Sequence, residues 1–264
     1  MTTPSGQEIS ISYGAYPYGY INGLQISNDA TTPNTVLNIG SGVTIDSTDT
    51  FQMINNGVIS INAATVGLNG IDTGVLAASK VYAVYLVSDP VTLQPIGAMI
   101  SLNYVSPAST LQPYMPFSYS AFKLIGFATT DASAHFLPGY WTADNSSWRL
   151  FMYDAPLATA ITAGTSTSYV NVNLTAAVPN HNNLPVLVNS VFTPTAAGSA
   201  LVLQPGNAVG AAATVLGQVA AVVVNSVSLV MAQPVVISTV SSPVVNYKVV
   251  GSVAVNVSGY YFTV

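Results

Sequence analysis

Wherever apolar and polar residues alternate regularly along this chain, the period is two, and that period predicts strands. Lys80-Val-Tyr-Ala-Val-Tyr-Leu-Val87 is rich in β-branched and aromatic residues, with apolar side chains at 81, 83, 85 and 87. Trp148-Arg-Leu-Phe-Met-Tyr153 sets Trp148, Leu150 and Met152 on one face and Arg149 on the other. Near the end, Val253, Val255 and Val257 alternate with Ala254, Asn256 and Ser258. Gly259 interrupts that run, as a bulge or bend does, before Tyr260 and Phe262 resume it. Three Asn-Gly dipeptides, at 22–23, 56–57 and 69–70, offer the positive φ angles of tight hairpins; Asn56-Gly57, flanked by apolar residues, is the best placed. Sixteen prolines and twenty glycines at short intervals forbid long helices, and no heptad run predicts a coiled coil. One short helical turn is expected over Thr73 to Lys80.

The pattern predicts an all-β protein with two β-sandwich-like domains and few or no helices. A Tyr/Pro/Gly-rich arm covers residues 1–20, a β-rich domain residues 21–155, and a β-sandwich domain residues 156–264. The boundary is placed near Asp154-Ala-Pro156, where charged residues stop and a Thr/Ala/Gly/Ser stretch begins. The arm is expected to serve attachment, through its Tyr13-Gly-Ala-Tyr-Pro-Tyr-Gly-Tyr20 cluster, more than folding.

Charge changes the picture most. From Ala155 to Val264 the chain runs 110 residues with one charged side chain, Lys248. Average composition would put more than roughly twenty there. Residues 1–154 hold all nine carboxylates and three of the four basic residues. Four cations cannot form a stripe that neutralises phosphates, so nucleic acid is not an expected partner. A half-apolar composition also excludes a disordered chain. There is no cysteine, hence no disulfide, thiolate metal site or Cys nucleophile. Residues 1–8 lack the basic and apolar regions of a secretory signal. The run Ala208 to Val224 falls short of a spanning helix and is broken by Gln218, so no membrane span is expected.

Candidate chemistry is sparse. Asp46 and Asp49 stand three apart and offer part of a calcium site, but a solvated turn fits better because calcium needs roughly six to eight oxygen ligands. Asp72, in Asn69-Gly-Ile-Asp-Thr-Gly74, is expected to bind turn amides. His135, among apolar neighbours, and His181, in the loop Pro179-Asn-His-Asn-Asn183, have no metal-ligand spacing. No nucleophile elbow or phosphate loop is present, and nothing singles out a carboxylate pair for glycoside hydrolysis. No enzyme activity and no cofactor are expected. The aromatic groups carry more weight: Tyr13, Tyr16, Tyr18 and Tyr20, then Tyr140, Trp141 and Trp148, suit either a sugar face or a protein interface. Sequons at Asn145, Asn173 and Asn256 match the chance expectation of an Asn/Ser/Thr-rich chain.

Several runs resemble a group of tailed-bacteriophage virion proteins, of the tail-fibre, head-fibre and decoration kinds. They are Gly23-Leu-Gln-Ile-Ser-Asn28, Pro33-Asn-Thr-Val-Leu-Asn-Ile-Gly40, Gly42-Val-Thr-Ile-Asp-Ser-Thr48 and Asn69-Gly-Ile-Asp-Thr-Gly-Val-Leu-Ala-Ala-Ser79. Phe192-Thr-Pro-Thr-Ala-Ala-Gly198, Gly217-Gln-Val-Ala-Ala221, Tyr247-Lys-Val249 and Gly259-Tyr-Tyr-Phe-Thr-Val264 continue the resemblance. It implies a virion location, contacts with other capsid or tail proteins, and a structural role. Together with the charge-poor surface it suggests a homotrimer. The competing expectation is a module that recognises host glycan through its aromatic groups.

Overall fold

The structure is a computed structural model; it describes residues 19–89, 96–104, 120–141, 148–181, 184–193, 200–205, 217–220, 229–237 and 244–263. The run Ala208 to Val224 lies outside these except for residues 217–220, which form a strand. Among the described residues there is no helix, and the strands form five sheets.

The first six strands are β1 (Ile21–Gly23), β2 (Ile26–Asn28), β3 (Val36–Ile39), β4 (Gly42–Ile45), β5 (Gln52–Asn55) and β6 (Ile59–Asn62). They make two small sheets, ordered β1-β4-β5 and β2-β3-β6, and the chain crosses between them three times. The crossings stack on one another. Leu24 N donates to Ser41 O at 3.0 Å, Gly40 N to Gln25 O at 2.9 Å, and Asn55 Nδ2 to Gly40 O at 2.9 Å. Two left-handed residues in succession, Gly23 (φ 70°) and Leu24 (φ 53°), make the first crossing. A side chain at Gly23 would collide with Ser41 O.

This arrangement corrects the hairpin expected at Asn56-Gly57. The two strands it joins, β5 and β6, pair with β4 and β3 and not with each other. Satisfying the corner falls to Asn55, whose side chain bonds Gly40 O, Gly57 O and Gly57 N. The helical turn expected over 73–80 is absent as well. Side chains there meet the backbone groups that a helix would have paired: Ala77 N donates to Tyr82 Oη and Ala77 O accepts from Thr130 Oγ1.

A four-stranded sheet follows, ordered β10 (Ala121–Thr129), β8 (Val81–Ser88), β9 (Gly97–Ser101) and β7 (Gly70–Ile71). The β7–β9 pairing is parallel, and among the described residues the other pairings between these strands are antiparallel. Strand β8 is buried along its whole length, so both of its faces are covered. In β10 a bulge between Leu124 and Gly126 leaves Ile125 out of register with β8.

The five-stranded sheet runs β11 (Gly139–Trp141), β12 (Trp148–Gly164), β19 (Ser252–Thr263), β14 (Leu184–Thr193) and β17 (Leu229–Ile237). Strand β12 runs through residues 154–156, where the composition changes, and residues on both sides of that point pair with β19. The change in composition falls where the register with β19 slips, between Met152 and Leu157, and the pairing resumes beyond it. The last sheet is β13 (Val170–Asn173), β18 (Val244–Val249), β15 (Ala200–Pro205) and β16 (Gly217–Ala220).

Strand β19 follows the expected alternation. Val253, Val255 and Val257 are buried, and the buried set then changes parity to Tyr260 and Phe262. The change occurs at Gly259, where the register with β14 slips. A side chain on Gly259 would meet Phe151 O at 2.1 Å, so only glycine fits against β12 here. Phe262 is 2% exposed and meets Phe127 edge-on at 5.1 Å, which ties β19 to β10. Replacing Phe262 with Ala should cost about 3–5 kcal/mol, the usual loss for a buried phenylalanine. Urea denaturation checks this; a midpoint equal to the parent's would remove the strand end from the core.

Candidate interaction surface

Of the residues expected to carry recognition, Tyr13, Tyr16 and Tyr18 lie outside the described residues, and so does the side chain of Trp148. Tyr20 is partly buried and accepts a bond from Asn22 Nδ2 at 3.3 Å. Tyr140 and Trp141 are adjacent on the edge strand β11, so they point to opposite faces. Tyr140 is 53% exposed, whereas Trp141 sits in the core against Phe151 at 5.2 Å and Tyr260 at 6.0 Å. Trp141 is therefore a packing residue with no face left for a sugar, which corrects its expected role.

The face assigned to β12 also needs correcting. Arg149, Phe151 and Tyr153 point inward, while Leu150 and Met152 are half-buried. Arg149 is 1% exposed and pairs with no carboxylate among the described residues. Its guanidinium donates from Nη1 to Ile125 O, and from Nη2 to Leu24 O at 2.9 Å and Gly23 O at 3.3 Å. The plane lies over the Trp141 ring at 5.4 Å. Each carbonyl comes from an irregular stretch: the left-handed pair at 23–24 and the bulge at 125. Burial lowers the Arg149 pKa to about 10. Sequence reasoning missed this residue, although one of only four cations inside an apolar strand was a signal.

Asp46 spends its carboxylate on its own loop, accepting from Thr50 N, Phe51 N and the Thr48 hydroxyl. Burial alone would raise its pKa, but these bonds hold it below the ordinary value. Nearby Lys123 is buried, and that burial lowers its pKa against the pull of Asp49 and Asp46. No group of three or more acidic or histidine residues converges among the described residues. His135 departs from expectation by being half-exposed, 3.7 Å from Asp131, whose carboxylate also accepts from the His135 amide. His181 packs its ring against Phe127 and Phe262. Asp72 accepts from the following amide, as its turn suggested, and also from Ser101.

The surface that stands out is the edge strand β13. It pairs with β18 on one side and with no strand on the other among the described residues. Val170 is 40% exposed and neighbouring Tyr169 is 38% exposed, with Asn171 and Asn173 exposed beside them. Lys248, from the paired strand β18, lies over the Tyr169 ring at 5.9 Å. Folded proteins usually guard such an edge with charge, proline or a bulge. Here the strand itself carries none of these.

The folds of solved viral coat proteins give weak matches. A T=1 particle derived from infectious bursal virus is 10% identical, with 92% of this chain and 68% of that chain covered and a TM-score of 0.24. The infectious bursal disease virus VP2 subviral particle is 11% identical over the same shares, also at 0.24. Scores this low mean that the chains do not superpose as wholes. No protein-family model matches the chain, and no curated protein does.

The buried hydroxyls dictate an alkaline response. Burial raises the pKa of Tyr82, Tyr85, Tyr153 and Tyr260, and that of Tyr104 to about 12. Above about pH 10 the unfolded chain loses phenolic protons that the folded chain keeps, so stability falls as pH rises. Arg149 and Lys123 act in the opposite sense, because their lowered values leave the unfolded chain holding the extra protons. Five phenols outweigh these two cations, so the melting temperature should drop through this range as phenolate absorbance appears. Thermal melts with parallel ultraviolet titration check it; a flat melting temperature would contradict the burial of these hydroxyls.

Proposed function

We propose that this protein is a structural component of a tailed-phage virion, a decoration or fibre-type protein on the head or tail surface that assembles as a homotrimer through β interfaces. The exposed, uncharged edge at β13, within a 110-residue stretch carrying one charge, is the observation behind this reading. Such an edge is a template for another chain's strand, and a protein that leaves it unguarded needs a native partner to cover it. Burying a Val side chain contributes roughly 1.5–3 kcal/mol, so the contact needs no ion pair. The quoted sequence runs that resemble tailed-phage virion proteins support the location. Contacts with neighbouring capsid or tail proteins complete the proposal, and no reaction is assigned.

A second reading, recognition of host glycan, is favoured by one observation: Tyr140 presents an exposed ring on the edge strand β11. Binding on a glycan array that Tyr140→Ala abolishes would favour it.

Light scattering at low micromolar concentration should return about three times the 27.3 kDa chain mass. That mass should hold from low to molar salt, since few charges are available to screen. Val170→Lys, which places an ammonium on the open edge, should shift the population to monomer while leaving the melting profile of the monomer intact. A parent protein that scatters as 27.3 kDa would overturn the assembly reading.

A further inference from the structure

The three Asn-Gly dipeptides share a chemistry that the fold leaves open at one of them. In such a pair the glycine nitrogen can attack the side-chain carbonyl carbon of the asparagine, because the glycine has no Cβ to obstruct it. The attack closes a five-membered ring, so it needs a side-chain amide free to turn, a nitrogen free to give up its proton, and space around both. The three sites differ in all of these.

Asn22-Gly23 is closed. Both residues lie in β1 and pair with β4, opposite Val43 and Gly42. Asn22 Nδ2 donates to Tyr20 Oη at 3.3 Å, and a Cβ on Gly23 would lie 2.4 Å from Ser41 O. Asn69-Gly70 is closed as well. Asn69 Oδ1 accepts from Ala98 N at 3.0 Å, while Asn69 N donates to Ala98 O at 2.8 Å. Gly70 N donates to Gly67 O at 3.0 Å, and a Cβ on this buried glycine would meet Thr65 O at 2.3 Å.

Asn56-Gly57 is open. It lies between β5 and β6 and belongs to neither strand, and Asn56, Gly57 and Val58 are all exposed. Among the described residues no hydrogen bond holds the Asn56 side-chain amide. A Cβ built on Gly57 finds nothing within 4 Å, so the ring has room to form. Gly57 N donates to Asn55 Oδ1 at 3.3 Å, longer than the usual span of about 2.7–3.2 Å, so little holds that nitrogen back.

We propose that Asn56 is a site of spontaneous deamidation, with water as the co-reactant, and that the fold selects it over Asn22 and Asn69. The Gly57 nitrogen gives up its proton and bonds to Asn56 Cγ; the bond from Cγ to Nδ2 breaks, and Nδ2 leaves with that proton as ammonia. Water then opens the cyclic imide at either carbonyl. One opening leaves aspartate at position 56 and the other isoaspartate, and nothing is oxidised or reduced. Both products place a carboxylate beside the exposed side chains of Ile54 and Val58, on a chain whose formal net charge is −5. The isoaspartate product also lengthens the backbone by one carbon between Asn55 and Gly57, across the bonds with which the Asn55 side chain grips Gly57. The site lies on β5 and β6, away from the edge at β13, and the inference is independent of the assembly reading.

Peptide mapping by mass spectrometry tests it, on the full chain kept warm at about pH 8, below the range in which the phenols titrate. Fragment masses locate each residue that has lost ammonia and gained water, and they separate isoaspartate from aspartate. In the folded chain Asn56 should convert at least about tenfold faster than Asn22 or Asn69, since a closed site reacts only through local opening. In urea the three rates should come together. Gly57→Ala, for which the corner has space, should slow conversion of Asn56 about tenfold or more by crowding the attacking nitrogen. The proposal is overturned if Asn22 or Asn69 keeps pace with Asn56 in the folded chain, if Asn56 converts only in urea, or if it converts as fast in Gly57→Ala as in the parent.

Discussion

A guanidinium buried with no carboxylate partner among the described residues is the constraint on which the arrangement of the sheets depends. Removing a charge from water costs several kcal/mol even after relaxation, and among the described residues Arg149 recovers that cost through carbonyls and an indole face. Regular strands spend their carbonyls on their neighbours, so the acceptors must come from places where pairing lapses. The chain supplies two such places, the left-handed Gly23-Leu24 corner and the bulge at Ile125. One side chain thereby ties the junction of both small sheets to the edge of the four-stranded sheet and to the long strand β12. The irregularities and the arginine explain each other.

The same economy of charge governs the outside. With four cations in the whole chain and two of them, Lys123 and Arg149, buried, the surface beyond residue 155 has little besides Asn, Ser and Thr to keep it in water. Those residues favour solubility less than charge does, and they do not repel a second β edge. The assembly proposed through β13 rests on that poverty.

Much of the fold was legible because strands announce themselves by short-range alternation. Strand β8, the valine ladder of β19 and the break at Gly259 could be read directly, since each depends on residues within a few positions of one another. The inward face of β12 could not. Trp148, Leu150 and Met152 look like the core face by hydrophobicity, yet Phe151 and Tyr153 fill the core and bring Arg149 with them. What stabilises Arg149 comes from Gly23, Leu24 and Ile125, and no local pattern announces carbonyls so far away in sequence. The Asn56-Gly57 dipeptide misled for a related reason: a turn signal reports a change of direction and says nothing of which sheet the chain enters next. For the candidate sites, the turn role of Asp72 was visible from its neighbours, whereas its bond from Ser101 depends on the parallel pairing of β7 with β9.

The central claim is that Arg149 holds the sheets together despite the cost of burying its charge. Buried ion pairs are often replaced by apolar residues of similar volume at no loss, or with a gain of about 1–4 kcal/mol, so the claim can fail. Denaturant unfolding of Arg149→Met against the parent measures it most directly. Three carbonyls that lose their donor at about 1–3 kcal/mol each should outweigh the relief of desolvation, leaving the variant clearly less stable. A variant as stable as the parent, or more so, would show that the guanidinium is merely tolerated and that the corner and the bulge are held by something else.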